Sequence, residues 1–393
     1  MVDFLAQADA LSEKLIARRR DLHRHPETAF EEVRTAGIVA DALRELGLEV
    51  QTGVGKTGVV AILEGAQDGP TVLVRADMDA LPIHEENDFD YASQSAGKMH
   101  ACGHDGHTSI ALGVAELLSG RRDSLAGRVK FVFQPAEEVG RGAQAMVSDG
   151  VLRDPHPDVT MGLHLWNSLP YGEIGIADGA TMAGATVFHI RIIGKGSHAA
   201  SPHLGIDPVV CAAQIINAFQ TIVSRNIDPM DTLVISITKV NAGDTHNVIP
   251  QTAELTGTVR AFSRQVRDLA FERMKTIAEQ VAAAFGCTAE LRYEHLTIPV
   301  INHPQVTEKL RSLFAAQTEV TRLDLNARTM GSEDVSLFMD DIPGVYFFVG
   351  ARDPQQSEYY GHHHPRFSID ERALVLGTAL LTSAVASYVL SEG

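Results

Sequence analysis

Hydrophobic periodicity changes style twice along this 393-residue chain, and that alternation limits the folds open to it. In the first 180 residues, helix-period segments (Asp9 to His23, Glu31 to Leu46, Thr108 to Ser119) alternate with short apolar runs. Those runs, Val59–Leu63, Thr71–Arg75, Val129–Phe133 and Val159–Leu163, read as strands buried on both faces, which is the signature of a largely parallel sheet. Gly47 stands where a left-handed helix cap is preferred. The middle of the chain reads β-α-β-β-α-β: Val187–Ile193, Asp207–Ser224, Thr232–Val240, Ala253–Phe262, Val266–Phe285 and Thr288–Tyr293. After Pro299 the first style returns, with a helix near Thr307–Gln317, a strand at Val345–Val349 and a long terminal helix. The expectation is an α/β fold: a mostly parallel sheet domain covered by helices (1–184 and 297–393), interrupted by a ferredoxin-like βαββαβ domain (185–296).

Thirty-three basic against 50 acidic residues give a formal charge of −17, which argues against nucleic acid as a partner because phosphate binding needs a basic face. Cys102, Cys211 and Cys287 make no disulfide framework and suit a reducing compartment, so a cytoplasmic location is expected. The first residues, Met-Val-Asp-Phe-Leu, lack a basic region followed by an apolar one, so no signal peptide is read there. Ala373 to Leu390 carries no charge, but it is rich in Ala, Ser and Thr and lacks flanking anchors. It reads as a closely packed terminal helix, and no membrane partner is expected.

Groups able to bind a metal cluster at the predicted ends of elements. Asp77 and Asp79 follow one strand, Glu137 and Glu138 a second and His164 a third, while Cys102 and His104 lie on a Gly-containing loop before a helix. Open sheets present side chains toward a shared point at strand carboxyl ends. Thiolate, imidazole and carboxylate in one set suit a pair of late first-row divalent ions. Taken singly, each residue has a plain structural reading: a core cysteine, a satisfied histidine, a solvated acid pair. It is the constellation that points to chemistry. In the Glu137–Glu138 pair one carboxylate can ligate while its neighbour stays free to take a proton from water, the arrangement metal-assisted hydrolysis needs. Cys102 as nucleophile is the rival role. Within His362–His364 the spacing does not decide which ring reaches the site, and His100 and His107 are left unassigned.

Three further features stand outside the metal set. Gly55-Lys56-Thr57 is no phosphate loop, since position 50 is Val and no helix follows. Gly194 to His198 ends the first strand of the inserted domain in a turn, Asn247 to Pro250 precedes its third strand, and Arg260 lies in that strand. A His and an Asn there suit an oxyanion, and an Arg suits a carboxylate; surface loop groups are the equally weighted alternative.

The motifs, taken together, resemble the aminoacylase and carboxypeptidase G superfamily of di-metal amidohydrolases, in the branch of hippurate hydrolases and indoleacetyl-amino-acid hydrolases. The matching stretches are Leu22–Glu27, Arg75–Pro82, His100–Asp105, Gln134–Glu138, Gly162–His164, Gly194–His198 with Pro202–His203, Asn247–Pro250, Met330–Asp334 and His363–Phe367. They run in family order over nearly the whole chain. The resemblance implies metal ligands at Cys102, His104, Glu138, His164 and His363, with Glu137 as general base. It implies that His198 stabilises the tetrahedral intermediate, that Asn247 and Arg260 contact substrate, and that Asp79 orients a ligand. It further implies two divalent ions per subunit (Mn, Zn, Ni or Co, undecided), a small N-acyl-amino acid substrate, and a homodimer or higher homo-oligomer formed through the inserted lid domain. A dipeptidase or carboxypeptidase on the same scaffold, or a non-catalytic metal-binding protein, is the alternative. Thr28 and Val335 depart from the family's usual Leu and Phe, and Val335 is expected to bear on the acyl pocket.

Overall fold

Eight strands make the sheet that organises the larger of two units in the computed structural model, which describes residues 2–356 and 358–390. That unit comprises Met1–Thr181, Ile301–Arg328 and Asp334–Gly393; the smaller comprises Met182–Val300 with Thr329–Glu333. The segment Thr329–Glu333 thus packs with the smaller unit, whereas the sequence reading kept it in the larger one.

In sheet order the eight strands are Glu49–Val54, Gly58–Glu64, Ala126–Gln134, Gln67–Asp77, Val159–Pro170, Gly344–Arg352, Glu173–Gly175 and Arg322–Asp324. The four central ones are mutually parallel. They are also the near-continuous apolar runs, with Val72 to Ala76, Val129 to Phe133 and Val345 to Val349 almost wholly buried, as two-sided burial demands. Antiparallel strands close one edge, Glu49–Val54 on Gly58–Glu64 and that on Ala126–Gln134.

The helices meet their expected places with small shifts. The first predicted helix runs Ser12–Arg24 and is preceded by a short helix, Phe4–Asp9, that the sequence reading did not include; the next ends ahead of Gly47, which takes φ +73°. The terminal helix Arg372–Val389 is long and apolar enough to cross a membrane, with mean hydropathy 1.4, yet 78% of that window is buried inside the protein. It is spent on the chain's own core. Gly377 lets it approach the helix His104–Ser119 closely, since a Cβ there would lie 2.8 Å from Ile110 Cδ1.

The smaller unit is the βαββαβ insertion. Its sheet runs Leu233–Ala242, Thr252–Ala261, Gly184–Ile193, Thr288–His295, antiparallel throughout. Helices Pro208–Arg225 and Arg264–Ala284 pack on one face through Cys211, Ile215, Phe219, Phe271 and Met274. Asp207, read from the sequence as the first helical residue, instead caps the first helix, accepting from the Val209 and Val210 N–H groups.

Candidate metal centre

The loops after two strands (Asp79; Glu137 and Glu138), a strand interior (His164), a helix start (Cys102, His104) and a turn (His363) deliver the site to one region of the larger unit. Cys102 Sγ lies 3.5 Å from His164 Nε2. His363 Nε2 lies 3.3 Å from Glu138 Oε2, and His104 Nε2 lies 3.9 Å from both Glu138 Oε1 and Glu137 Oε2. Ligand-type atoms of Cys102, His104 and His164 fall within 4.8 Å of one another, as do those of Cys102, Glu138 and His363, and those of His104, Glu137 and Glu138. The structure thus brings Cys102, His104, Glu137, Glu138, His164 and His363 into overlapping groups of three.

Two placements differ from expectation. His164 is inside its strand, which runs on to Pro170 because it pairs with Gly344–Arg352 past position 164, Phe348 lying opposite His164. His104 is the first residue of its helix, with Gly103 at φ +92° turning the chain just before it. Cys102 and His104 thus leave opposite sides of a left-handed bend and reach the same point, a conformation suited to Gly.

Backbone carbonyls set the tautomers. His104 Nδ1 donates to the Asp79 carbonyl at 2.9 Å and His164 Nδ1 to the Leu165 carbonyl at 2.8 Å, so each turns its Nε2 to the cluster. Metal-binding imidazoles are commonly anchored through the other nitrogen in this way. Among the described residues, His104 Nε2 and Glu138 Oε1 are buried without a hydrogen-bond partner. Polar atoms of that kind are costly unless something else satisfies them. A divalent cation would satisfy both, and the donor set fits one.

The field agrees. Burial opposes a proton on His104, but Asp77, Asp79 and Glu138 outweigh it and hold its pKa up at about 10. A site whose carboxylates favour one cation favours another. Burial pushes His164 well below the ordinary histidine value, helped by His107 and His362, and keeps its ring neutral with a lone pair to offer. Burial would lift Glu138, yet His363 and His104 hold it below the usual range.

Asp77 and His107 also approach His104, but both are engaged elsewhere. Asp77 accepts from Arg75 at 2.7 Å and from His107 Nδ1 at 2.6 Å, while His107 Nε2 accepts the Leu165 N–H at 2.8 Å. With both nitrogens used, His107 ties its helix to the strand that carries His164. The triple histidine is resolved likewise. His362 donates Nε2–H to the Leu165 carbonyl and packs against Trp166, and burial lowers its pKa to about 4. His364 Nδ1 accepts the Arg366 N–H, and its ring stacks on Tyr360. Only His363, at φ +65°, joins the cluster. His100 is fully buried, and burial lowers its pKa to about 3.

Asp79 sits beneath the acid pair. Its Oδ1 accepts from the Glu137 N–H and its Oδ2 from the Glu138 N–H, each at 3.0 Å. Next to His104, Asp105 forms a buried network that the sequence reading missed. It accepts from Arg19 Nε and His23 Nδ1 at 2.8 Å, and His23 Nε2 reaches Glu85 at 3.1 Å. Within the smaller unit, His198 pairs with Val248 in a two-residue ladder beside Asn247, and its Nδ1 accepts the Ala200 N–H. Arg260 is half-buried and bonds Ser332. Val335 is fully buried, which places it in the core.

Residues 73–387 match the model of peptidase family M20/M25/M40, and the chain belongs to that family. It is a hydrolase of that family. It is 45% identical over 298 residues to an N-acyl-L-amino acid amidohydrolase of Geobacillus stearothermophilus, covering 76% of this chain and 80% of that one. It is 39% identical over 367 residues to thermostable carboxypeptidase 2 of Saccharolobus solfataricus, covering 92% of each. A solved structure of a dinuclear metal-binding M20 peptidase from Bacillus subtilis superposes with TM-score 0.84 at 37% identity, covering 97% of this chain and 99% of that one.

Proposed function

We propose that this chain hydrolyses the amide bond of N-acyl-amino acids, giving a carboxylate and a free amino acid. The observation that carries this reading is the meeting of ligand-type nitrogen, sulfur and oxygen atoms of Cys102, His104, Glu138, His164 and His363, with a second acid, Glu137, beside them. Those five residues would hold two divalent ions of the Mn, Zn, Ni or Co group. When bound, such ions supply the positive charge that acidifies water and polarises a carbonyl.

Everything else falls to the chain. Glu137 takes the proton of the attacking water and passes it to the departing nitrogen, its side chain 11% exposed and so open to a small reactant. Asp79 holds the Glu137 and Glu138 amides in place. Since His198 Nδ1 is an acceptor, Nε2 carries the proton it offers to the developing oxyanion. Arg260 and Asn247 hold the substrate carboxylate. The smaller unit serves as lid and as the contact of a homodimer, and the protein works in the cytoplasm. The relative named a carboxypeptidase supports a second reading, peptide C-terminal cleavage on the same centre.

Glu137→Gln tests the role of the base. Metal content should stay that of the parent while kcat falls roughly 10²–10⁴-fold. Near-normal turnover in the metal-loaded variant would refute it. A panel of acetyl-, benzoyl- and aminoacyl-amino acids separates amidohydrolase from peptidase: the acyl compounds should be turned over fastest.

A further inference from the structure

Four non-glycine residues among those described hold positive φ: Phe30 (64°), Lys56 (83°), Ala136 (53°) and His363 (65°). Backbones of this kind persist only where neighbouring structure over-determines them, and they gather at functional sites. His363 is accounted for by the cluster. The other three come from distant parts of the sequence, yet they surround one side chain, Glu32, which is wholly buried.

Glu32 Oε1 accepts from the Phe30 N–H and the Ala136 N–H, both at 2.9 Å. Its Oε2 accepts from Thr57 Oγ1 at 2.5 Å, and Lys56, the residue before Thr57, places its ammonium 4.0 Å above the Phe30 ring. Ala136 opens the turn that carries Glu137 and Glu138. The N–H groups of residues 136, 137 and 138 are therefore all held by buried carboxylates: the first by Glu32, the next two by Asp79. Successive N–H groups beside a left-handed residue form a concave anion-binding nest. Here the anions are the protein's own. The turn closes on itself through Gly140 N–H to the Glu137 carbonyl and Gly142 N–H to the Ala136 carbonyl, so its orientation is set at its entry, at Ala136.

We infer that Glu32 is a positioning residue for the acid pair. Its carboxylate fixes the left-handed entry at Ala136 and thereby the placement of Glu137, using the start of helix Val33–Glu45 and the Lys56–Thr57 turn as a rigid mount. This rests on the reading of Glu137 as the base. A misplacement of about 1 Å at a reacting group costs on the order of 10²-fold in rate. Glu32→Ala removes every acceptor. Glu32→Gln keeps a carbonyl oxygen for the Phe30 and Ala136 amides and an amide that can donate to Thr57.

The experiment compares Glu32→Ala, Glu32→Gln and the milder Thr57→Val with the parent, all metal-loaded, by amide hydrogen exchange, elemental analysis and kinetics on an N-acyl-amino acid. In Glu32→Ala, exchange of the peptide spanning 134–140 should rise about tenfold, the scale of losing one charge-assisted hydrogen bond, while the strand 159–166 is unchanged. Metal content should hold, kcat should fall roughly 10–100-fold with KM little altered, and Glu32→Gln should restore most of both exchange protection and kcat. Thr57→Val should shift both in the same direction by less, and it carries the test if Glu32→Ala does not fold. Unchanged exchange at 134–140, or equal losses in the Ala and Gln variants, overturns the inference. If the parent hydrolyses no acyl-amino acid, the functional reading fails, and the exchange data still judge Glu32.

Discussion

Replacing Asp105 by Asn should unsettle the larger unit more than any surface change. Asp105 is buried and accepts three hydrogen bonds: Arg19 Nε and His23 Nδ1 at 2.8 Å, and the Gly106 N–H at 2.9 Å. Both side-chain donors are fully buried, and without Asp105 the Arg19 guanidinium keeps a longer 3.3 Å contact to Glu371 as its nearest carboxylate, beside its stacking over the Tyr91 ring. Asn retains one acceptor oxygen and turns an NH₂ toward a donor. Breaking a buried ion pair by removing one partner costs about 3–5 kcal/mol, because the other charge stays buried. With the Glu371 contact and one acceptor kept, we expect about 3 kcal/mol. Trp166 is the single tryptophan and belongs to the larger unit, so its emission during urea denaturation reads that unit alone.

The pH dependence has a definite sign. Burial would raise Asp105, but Arg19 and His23 depress it far below its ordinary 3.8. Its contribution is therefore present above pH 3.8 and is lost as pH falls through the depressed folded value. Burial and Arg19 oppose a charge on His23, but Asp105 and Glu85 raise it above 6.5, so its part is complete below pH 6.5 and fades as pH rises through the folded value. The stability gap between parent and Asp105→Asn should be widest between those limits. A gap under about 1 kcal/mol at pH 5–6, or one that widens below pH 3, would refute the reasoning.

Two other outcomes follow from the site. His107→Gln should leave the number of bound metal ions unchanged, whereas His164→Ala should lower it; equal losses by elemental analysis would show that His107 is itself a ligand. Gly142→Ala should open the acid turn, since the new Cβ would fall 1.5 Å from the Pro135 carbonyl oxygen, a backbone atom that cannot step aside. We expect turnover to drop about 10²-fold or more, with metal still bound; parent-like kcat would show that the turn relaxes freely.

Much of the centre is legible before any coordinates. Ligand identity is a matter of residue type, and the two hydrophobic periods report which elements are buried on two faces and which on one. Strands that carry or lead into Asp, Glu or His therefore announce themselves, and so does the insertion. The terminal helix needed only its small residues to be read as core.

Other features depend on contacts that no local pattern records. His104 and His107 are one helical turn apart and equally plausible as ligands until the Leu165 amide claims His107. His362, His363 and His364 differ only in where the chain bends, because a left-handed residue sends one ring toward Glu138 and leaves its neighbours to packing. Glu32 looks like any helix-start acid, and its meaning arises when residues 30, 57 and 136 converge on one carboxylate. Sequence by itself determined the chemistry available and the order of elements, since both follow from residue type and short-range period. Only the tertiary structure decided which atoms are free to react, since a lone pair is free or taken according to neighbours that lie far away along the chain.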